Sequence, residues 1–167
     1  MAKNSIKPMS IAAQATLLKR MFPGSTVHML HDNELIWRHK IKPSPLSAEY
    51  SVKLHYKMDI KKKSKSDRRV NFYVTDPMPL ALAKNAKRLP HVYDHKTQKL
   101  CLYYPDGKEW KPTMTLAETI VLWGYEWLYH YELWLGTDNE WRGGGVHPPL
   151  NQAKIEEIIK NNQPEKK

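Results

Sequence analysis

Residues 34–58 read ELIWRHKIKPSPLSAEYSVKLHYKM, and this stretch decides the fold. Hydrophobic side chains occupy alternate positions in each half, and a proline-containing connection separates the halves. Such alternation is typical of antiparallel strands with one buried face. The pattern predicts strands at 34–42 and 48–58, and the β-branched and aromatic run at 68–76 predicts a third. We expect the inward-facing side chains of the first two strands to be Leu35, Trp37, His39, Ile41, Tyr50, Val52, Leu54 and Tyr56.

Helical patterns lie on both sides of this predicted meander. Residues 10–21 predict an N-terminal helix with Ser10 as its N-cap. Further along the chain, Thr115 and Glu118 have the spacing of a capping box and predict the start of a long helix that ends at Gly136. Its large apolar side chains recur at helical spacing, which indicates a stripe that faces the core: Leu116, Ile120, Trp123, Trp127 and Trp134.

The remaining segments complete an α+β order. Residues 77–90 are predicted to be irregular, with a helical turn within LALAKNAK (80–87), and residues 151–160 predict a short C-terminal helix. We expect an antiparallel sheet of about four strands with helices packed beside it. The length of 167 residues suits one domain, placed at residues 1–160, with a flexible charged tail at 161–167.

The chain is strongly basic, with a net charge of +10 from 27 Lys and Arg against 17 Asp and Glu. This surplus favours acidic partners, and much of it lies in KKKSKSDRR (61–69). No aromatic residue lies within that run, so a solvated loop or a docking surface for an acidic protein is favoured over nucleic-acid binding. The N-terminus lacks the apolar run of a signal peptide, and the most apolar segment is too polar to span a bilayer. We therefore expect a cytoplasmic protein without a membrane span.

Residues 90–102, PHVYDHKTQKLCL, contain the only cysteine, Cys101. A lone cysteine forms no internal disulfide and often serves as a small buried hydrophobic residue. It can also be a nucleophile, because its thiolate attacks acyl groups and leaves them readily. A papain-like hydrolase is disfavoured, because that chemistry uses a cysteine on a helix, paired with a histidine.

This stretch resembles the active site of ubiquitin-conjugating enzymes. In that family a His-Pro-Asn motif begins ten residues before the catalytic cysteine, which has aliphatic neighbours, and a Trp-x-Pro sequence follows. Here His91, Leu100-Cys101-Leu102 and Trp110-Lys111-Pro112 hold the corresponding positions in the same order. Val92 and Tyr93 stand where the motif has proline and asparagine. The resemblance implies the ubiquitin-conjugating fold.

The sequence is similar to the bacterial branch of that family, which occurs in CBASS anti-phage operons. The similarity rests on the departures from the motif at Val92 and Tyr93, on the Trp-rich helix and on the sequence GGGVHPP (143–149). The resemblance implies the short, stand-alone form of the protein, a cysteine-dependent acyl transferase that uses no cofactor. Such an enzyme would form a thioester on Cys101 with the C-terminus of a cGAS-like nucleotidyltransferase. It would then pass this acyl group to a lysine of an acceptor protein, and a separate activating enzyme would prepare the carboxyl group.

Four residues join Cys101 as candidate catalytic residues: His91, Tyr93, His95 and His147. We expect His91 to hold the loop through backbone hydrogen bonds. Because the motif asparagine is missing, the other three and nearby backbone N–H groups are the candidate donors to the oxyanion of the tetrahedral intermediate. Asp94 and Asp106 are candidates for lowering the pKa of an acceptor lysine. No metal-ligand spacing is present.

Two other functions stay open at this point. The missing asparagine favours a catalytically inactive, conjugating-enzyme-like module that only binds the nucleotidyltransferase. The basic run at residues 61–69 leaves a nucleic-acid-binding domain as the weaker alternative.

Overall fold

A computed structural model describes residues 7–58, 70–104, 108–143 and, nearer the C-terminus, residues 153, 156, 157 and 160. The basic run at 61–69, the tail at 161–167 and the side chains of Asp106 and His147 lie outside the described residues. In chain order the elements are α1 (Ile11–Met21), β1 (Thr26–Leu30), a 3-10 turn (His31–Asn33), β2 (Glu34–Ile41), β3 (Tyr50–Lys57), β4 (Val70–Asp76), β5 (Val92–Asp94), β6 (Lys99–Leu100) and α2 (Ile120–Leu135).

The strands form one antiparallel sheet in the order β1-β2-β3-β4-β6-β5. The predicted meander is confirmed as β2, β3 and β4. In its register Trp37 lies opposite Leu54, which lies opposite Phe72, so large side chains meet across three strands on the buried face. Most of the predicted inward-facing side chains are fully buried, and His39 is partly buried.

The sheet has six strands rather than the four that the sequence predicted. Strand β1 was missed because it lies at the edge, and only Val27 among its five residues is partly buried. Its alternation of Val27 and Met29 with polar residues covers only four positions before Leu30 interrupts it, which is the lower limit for identifying a strand. Strands β5 and β6 have three and two residues, too few for any periodicity to be read.

Helix α1 begins as predicted, with the Ser10 hydroxyl accepting a 3.1 Å hydrogen bond from the Ala13 amide. Its core-facing side includes one polar residue, Gln14, which is fully buried. The Gln14 side chain donates to the Met114 carbonyl and accepts from the Leu116 amide, both at 2.9 Å. This amide therefore joins α1 to the segment that leads into α2.

Helix α2 starts later than the capping box predicted. One half of the box is present: the Glu118 amide donates to the Thr115 hydroxyl at 3.3 Å, and this hydroxyl donates to the Glu118 carboxylate at 2.7 Å. Regular α-helix begins only at Ile120, since Thr119 has φ −122° and ψ −83° and the Val121 amide bonds to the Leu116 carbonyl, one residue beyond helical spacing. The first turn is therefore wider than an α-helical turn.

The predicted apolar stripe of α2 is confirmed, and all five of its members are buried. Each such side chain contributes about 1.5–3 kcal/mol when fully removed from water. The first six residues of the helix, 120–125, are buried on every side. Gly124 lies against the Phe72 ring of β4, so the helix backbone approaches the sheet closely. Helix α2 thus forms the centre of the domain.

The helical turn predicted within residues 80–87 is wrong. The described conformation there is a single turn, in which the Ala86 amide donates to the Ala83 carbonyl at 3.0 Å. Distant side chains bond this segment instead: the Tyr131 hydroxyl donates to the Ala81 carbonyl and the Leu80 amide donates to the side-chain oxygen of Gln98. These two tertiary hydrogen bonds fix the path of the segment, which forms no helix.

The described residues of the predicted last helix are helical: Ala153, Glu156, Glu157 and Lys160. Among all described residues, no helix has the length and apolar character required to span a bilayer.

Candidate active site

The stretch around Cys101 folds into a small hairpin made of β5 and β6. Asp94 shapes its turn, because one carboxylate oxygen accepts from the Lys96 amide at 2.9 Å and the other from the Thr97 hydroxyl at 2.8 Å. These bonds lower the pKa of the Asp94 carboxyl, since they favour its charged form. Asp94 is therefore engaged within the turn, and Gln98 completes the turn with φ +53°.

Cys101 directly follows β6 and is partly exposed, whereas its neighbours Leu100 and Leu102 are each only 3% exposed. Successive side chains in an extended chain point to opposite sides, so the two leucines face the core while the thiol lies on the outer side. The Cys101 amide donates a 2.9 Å hydrogen bond to the His91 carbonyl. Cys101 is thus a partly exposed residue on a backbone that is fixed by hydrogen bonding.

His91 adopts a left-handed backbone conformation with φ +47°. This region is uncommon for residues other than glycine and persists where the surroundings hold it. Here the His91 carbonyl accepts from the Trp127 indole at 3.1 Å as well as from Cys101, and the imidazole packs on Trp141 with ring centroids 5.2 Å apart. Through its backbone, His91 therefore lies next to the cysteine and joins it to α2.

The other described candidates use their polar groups in bonds within the protein. The Tyr93 hydroxyl donates to the Tyr103 carbonyl at 2.7 Å. The Nδ1 atom of His95 accepts from the Leu89 amide at 3.2 Å, so a neutral His95 carries its proton on Nε2. Both contacts connect the hairpin to its neighbouring segments, which gives these two side chains a structural role in the described conformation.

A tryptophan with a structural position follows the cysteine. Trp110 is 3% exposed, packs edge-on against Tyr56 with centroids 5.6 Å apart, and donates its indole N–H to the Thr119 hydroxyl at 3.2 Å. The Pro112 carbonyl accepts from the Met9 amide at 2.9 Å, so the chain before α1 also reaches this segment. The Trp-x-Pro sequence therefore fastens the chain between the hairpin and α2.

Three residues at the site were missed by sequence reasoning: Trp127, Trp141 and Gln98. Trp127 was assigned to the core stripe, and it is indeed 5% exposed, but its indole N–H reaches the site. Trp141 lies in a glycine-rich stretch that showed no periodicity. Gln98 is 1% exposed, and its amide group bonds to the carbonyls of Val74 and Pro77, which ties the hairpin to β4. No signal in the sequence marked Gln98, because most of its neighbours in the hairpin are polar as well.

The chemistry that this arrangement supports is nucleophilic. The single thiol belongs to a partly exposed residue whose amide bonds to the His91 carbonyl, and the His91 imidazole packs on the Trp141 indole. Within the described part of the chain, no group of three His, Cys, Asp or Glu side chains has the arrangement needed to hold a metal ion.

The fold and the site together define a class of protein. A helix followed by an antiparallel sheet, a cysteine hairpin and a later central helix is compatible with the ubiquitin-conjugating fold. A family model described as type II CBASS E2 protein matches residues 14–148. The chain therefore belongs to the family of type II CBASS E2 proteins. A search of curated proteins finds no match.

Proposed function

We propose that the protein is a conjugating enzyme that carries an acyl group as a thioester on Cys101. The family implies a role like that of a ubiquitin-conjugating enzyme in CBASS anti-phage defence. The observation that carries the proposal is the partial exposure of Cys101, whose backbone bonds to His91. A buried thiol could not meet a protein-sized acyl donor, whereas this one lies on the outer side of its hairpin.

The reaction proceeds in two acyl transfers. The Cys101 thiolate attacks an activated C-terminal carboxyl group, the bond from carbonyl carbon to sulfur forms, and the activating group leaves with the bonding electrons. An uncharged amine then attacks the thioester carbonyl, the carbon–sulfur bond breaks, the amine nitrogen loses a proton, and the thiolate is regenerated. The products are an amide bond and free enzyme. The resemblance of the sequence makes a lysine the amine and a cGAS-like nucleotidyltransferase the acyl donor.

Both tetrahedral intermediates carry an oxyanion that needs a hydrogen-bond donor. One well-placed donor contributes about 2.7–4 kcal/mol to the transition state. In the described conformation the Tyr93 hydroxyl donates to Tyr103 and Nδ1 of His95 accepts from Leu89. The proposal therefore assigns this role to backbone N–H groups, to the Nε2–H group of His95 or to His147.

The decisive experiment combines the protein with the cGAS-like nucleotidyltransferase of the same operon, ATP and a separate activating enzyme. We expect an adduct with the summed mass of the two proteins on a non-reducing gel, and we expect thiol reagents to remove it. Cys101→Ser is the matched variant. Its hydroxyl would form an oxyester with the donor, which thiol reagents do not cleave and alkali hydrolyses. Since Cys101 is the only cysteine, an adduct that persists in Cys101→Ala would exclude thioester chemistry.

One observation favours a second candidate, the catalytically inactive binding module. Tyr93 stands where the resembling family has asparagine, and its hydroxyl donates to a carbonyl of the protein itself. If the protein is a module of this kind, the wild-type protein and the Cys101→Ala variant would bind the nucleotidyltransferase with equal affinity. It would form no adduct under the conditions above, and this combination of results would decide in its favour.

A further inference from the structure

We propose that Trp127 and Trp141 are positioning residues for Cys101 and act on it through His91. The inference rests on the proposed thioester chemistry and adds to it the means by which the cysteine is held. Trp127 contacts His91 through the hydrogen bond of its indole N–H, and Trp141 contacts it through its ring, so we assign both residues an effect on the geometry of the thiol.

The first observation is a shared acceptor. The His91 carbonyl accepts from the Cys101 amide at 2.9 Å and from the Trp127 indole N–H at 3.1 Å. A carbonyl oxygen has two lone pairs, so these two donors use both of its hydrogen-bonding positions. A displacement of the His91 carbonyl would therefore move the backbone of Cys101. The indole of Trp127 restrains that carbonyl from the side of α2.

The second observation is the conformation that the indoles maintain. His91 has φ +47°, which its own side chain disfavours. The imidazole lies against Trp141, and the Trp141 ring lies 5.6 Å from the Trp127 ring between centroids. Backbone and side chain of His91 are thus both held by tryptophan, and each contact opposes relaxation of the left-handed turn.

The third observation is the fixed placement of the two rings. Trp127 stacks on Tyr131 with centroids 5.6 Å apart and planes within 8°, and Tyr131 is anchored to the Ala81 carbonyl. At Gly143 the chain passes so close to the Trp141 indole that an added Cβ would lie 2.5 Å from its Nε1 atom. The glycine permits the segment after α2 to cover the indole ring of Trp141.

Positioning of this kind bears directly on acyl transfer. Attack requires the sulfur to reach the carbonyl carbon in a narrow range of distance and angle, and a small displacement lowers the rate without weakening binding of the donor. The two indoles therefore contribute to the rate of thioester formation rather than to the affinity for the acyl donor.

The test compares Trp127→Phe with Trp134→Phe. Both residues are buried tryptophans of α2, and both substitutions keep an aromatic ring. Only Trp127 donates to His91, whereas the Trp134 indole N–H has no hydrogen-bond partner among the described residues. Trp134→Phe thus reproduces the loss of ring volume without the loss of the bond. A melting curve of each variant confirms that it is folded.

Two measurements are made on each variant: the rate of thioester formation over a range of donor concentrations, and hydrogen exchange at the Cys101 amide. For Trp127→Phe we expect a rate at saturating donor about two- to tenfold lower, the effect of one lost hydrogen bond, with an unchanged half-saturating concentration. We also expect faster exchange of the Cys101 amide. Trp134→Phe should change neither quantity.

A second pair tests the ring contact of Trp141. Trp141→Phe keeps a ring against His91 and should retain the wild-type rate, while Trp141→Ala should slow thioester formation. Equal rates and equal amide exchange for Trp127→Phe and Trp134→Phe would overturn the positioning inference. A wild-type protein that forms no thioester would instead overturn the proposed function, so the two failures can be told apart.

Discussion

Gly124 of α2 lies directly against the ring of Phe72 on β4, and a Cβ added at the glycine would lie 2.6 Å from the Cζ atom of that ring. Atoms do not approach so closely without displacement. The absence of a side chain at this one position sets the distance between the central helix and the sheet. It thereby also sets the position of Trp127, which lies on the same helix.

Gly124→Ala is expected to destabilise the protein in spite of the better helix propensity of alanine. Alanine gains about 1 kcal/mol over glycine within a helix, whereas overpacking of a core costs about 1–3 kcal/mol. Phe72 is 2% exposed and has little room to move, so we expect an overpacking cost in the upper part of that range. After the gain in helix propensity is subtracted, the net loss of stability is about 1–2 kcal/mol. Urea denaturation measures it.

The control is Gly136→Ala at the C-cap of α2. There the nearest atom to an added Cβ is the Leu133 carbonyl oxygen at 3.5 Å, an ordinary contact, and φ is −81°. This variant should stay within about 0.5 kcal/mol of wild type. Addition of Phe72→Leu to Gly124→Ala should recover part of the lost stability. Wild-type stability of Gly124→Ala would contradict the close approach.

Replacement of Gln98 is expected to loosen the cysteine hairpin. Its side chain is buried and bonds to the carbonyls of Val74 and Pro77 and to the amide of Leu80. Gln98→Ala leaves these buried backbone groups without a partner, at a cost of about 1–3 kcal/mol for each group that water does not reach. Thermal unfolding and hydrogen exchange at the amides of Met78 and Leu80 are the measurements.

Gln98→Gly separates the hydrogen bonds from the backbone conformation. Both variants lose the amide group, but glycine accepts the observed φ of +53° without a steric penalty and alanine does not. We therefore expect the glycine variant to be the more stable of the two. The reverse order would show that the left-handed conformation is not maintained.

Alkaline pH is expected to unfold the protein through its buried tyrosines. Burial raises the pKa of Tyr125 and raises the pKa of Tyr131 to about 12. Because these pKa values are higher in the folded state, the unfolded phenols ionise first, near pH 10. The stability that the neutral phenols provide is complete below about pH 10 and is lost as the pH rises from there through the folded pKa values. A series of urea curves between pH 8 and pH 11 is the measurement.

Tyr125→Phe and Tyr131→Phe should differ at neutral pH. The Tyr125 hydroxyl is buried and has no hydrogen-bond partner among the described residues, so its removal should leave stability unchanged or raise it by about 1 kcal/mol. The Tyr131 hydroxyl donates to the Ala81 carbonyl, so its removal should lower stability by about 1 kcal/mol. Both variants should lose less stability in alkali than wild type, and an unchanged alkaline loss would refute the assignment.

Arg38→Glu is expected to stabilise the sheet. Arg38 on β2 lies directly opposite Lys53 on β3, and two like charges in this position repel each other. A glutamate at position 38 would pair with Lys53 and raise the free energy of unfolding by about 0.2–1 kcal/mol at low salt. The gain should diminish as salt screens the pair. Arg88→Glu, which changes the net charge equally at an exposed position outside the helices and strands, is the control.

The extent to which sequence predicted the fold varies with the element. Strands β2, β3 and β4 and the stripe on α2 were predicted correctly, because each buries one face or one stripe and so leaves a period in the sequence. Strand β1 left an alternation of only four residues, and only Val27 among its five residues is partly buried. The start of α2 was misplaced because the Glu118 amide makes its capping bond to the Thr115 hydroxyl at a turn that is wider than an α-helical turn.

The amino-acid sequence by itself determined the α+β order, the buried faces of the meander and the identity of the single thiol, because local periodicity and the chemistry of one residue type need no partner elsewhere in the chain. Only the tertiary structure decided which groups meet Cys101. Its amide shares the His91 carbonyl with Trp127, a residue 36 positions away from His91. That contact depends on the direction of one indole N–H across two packed elements, and no local pattern encodes such a direction.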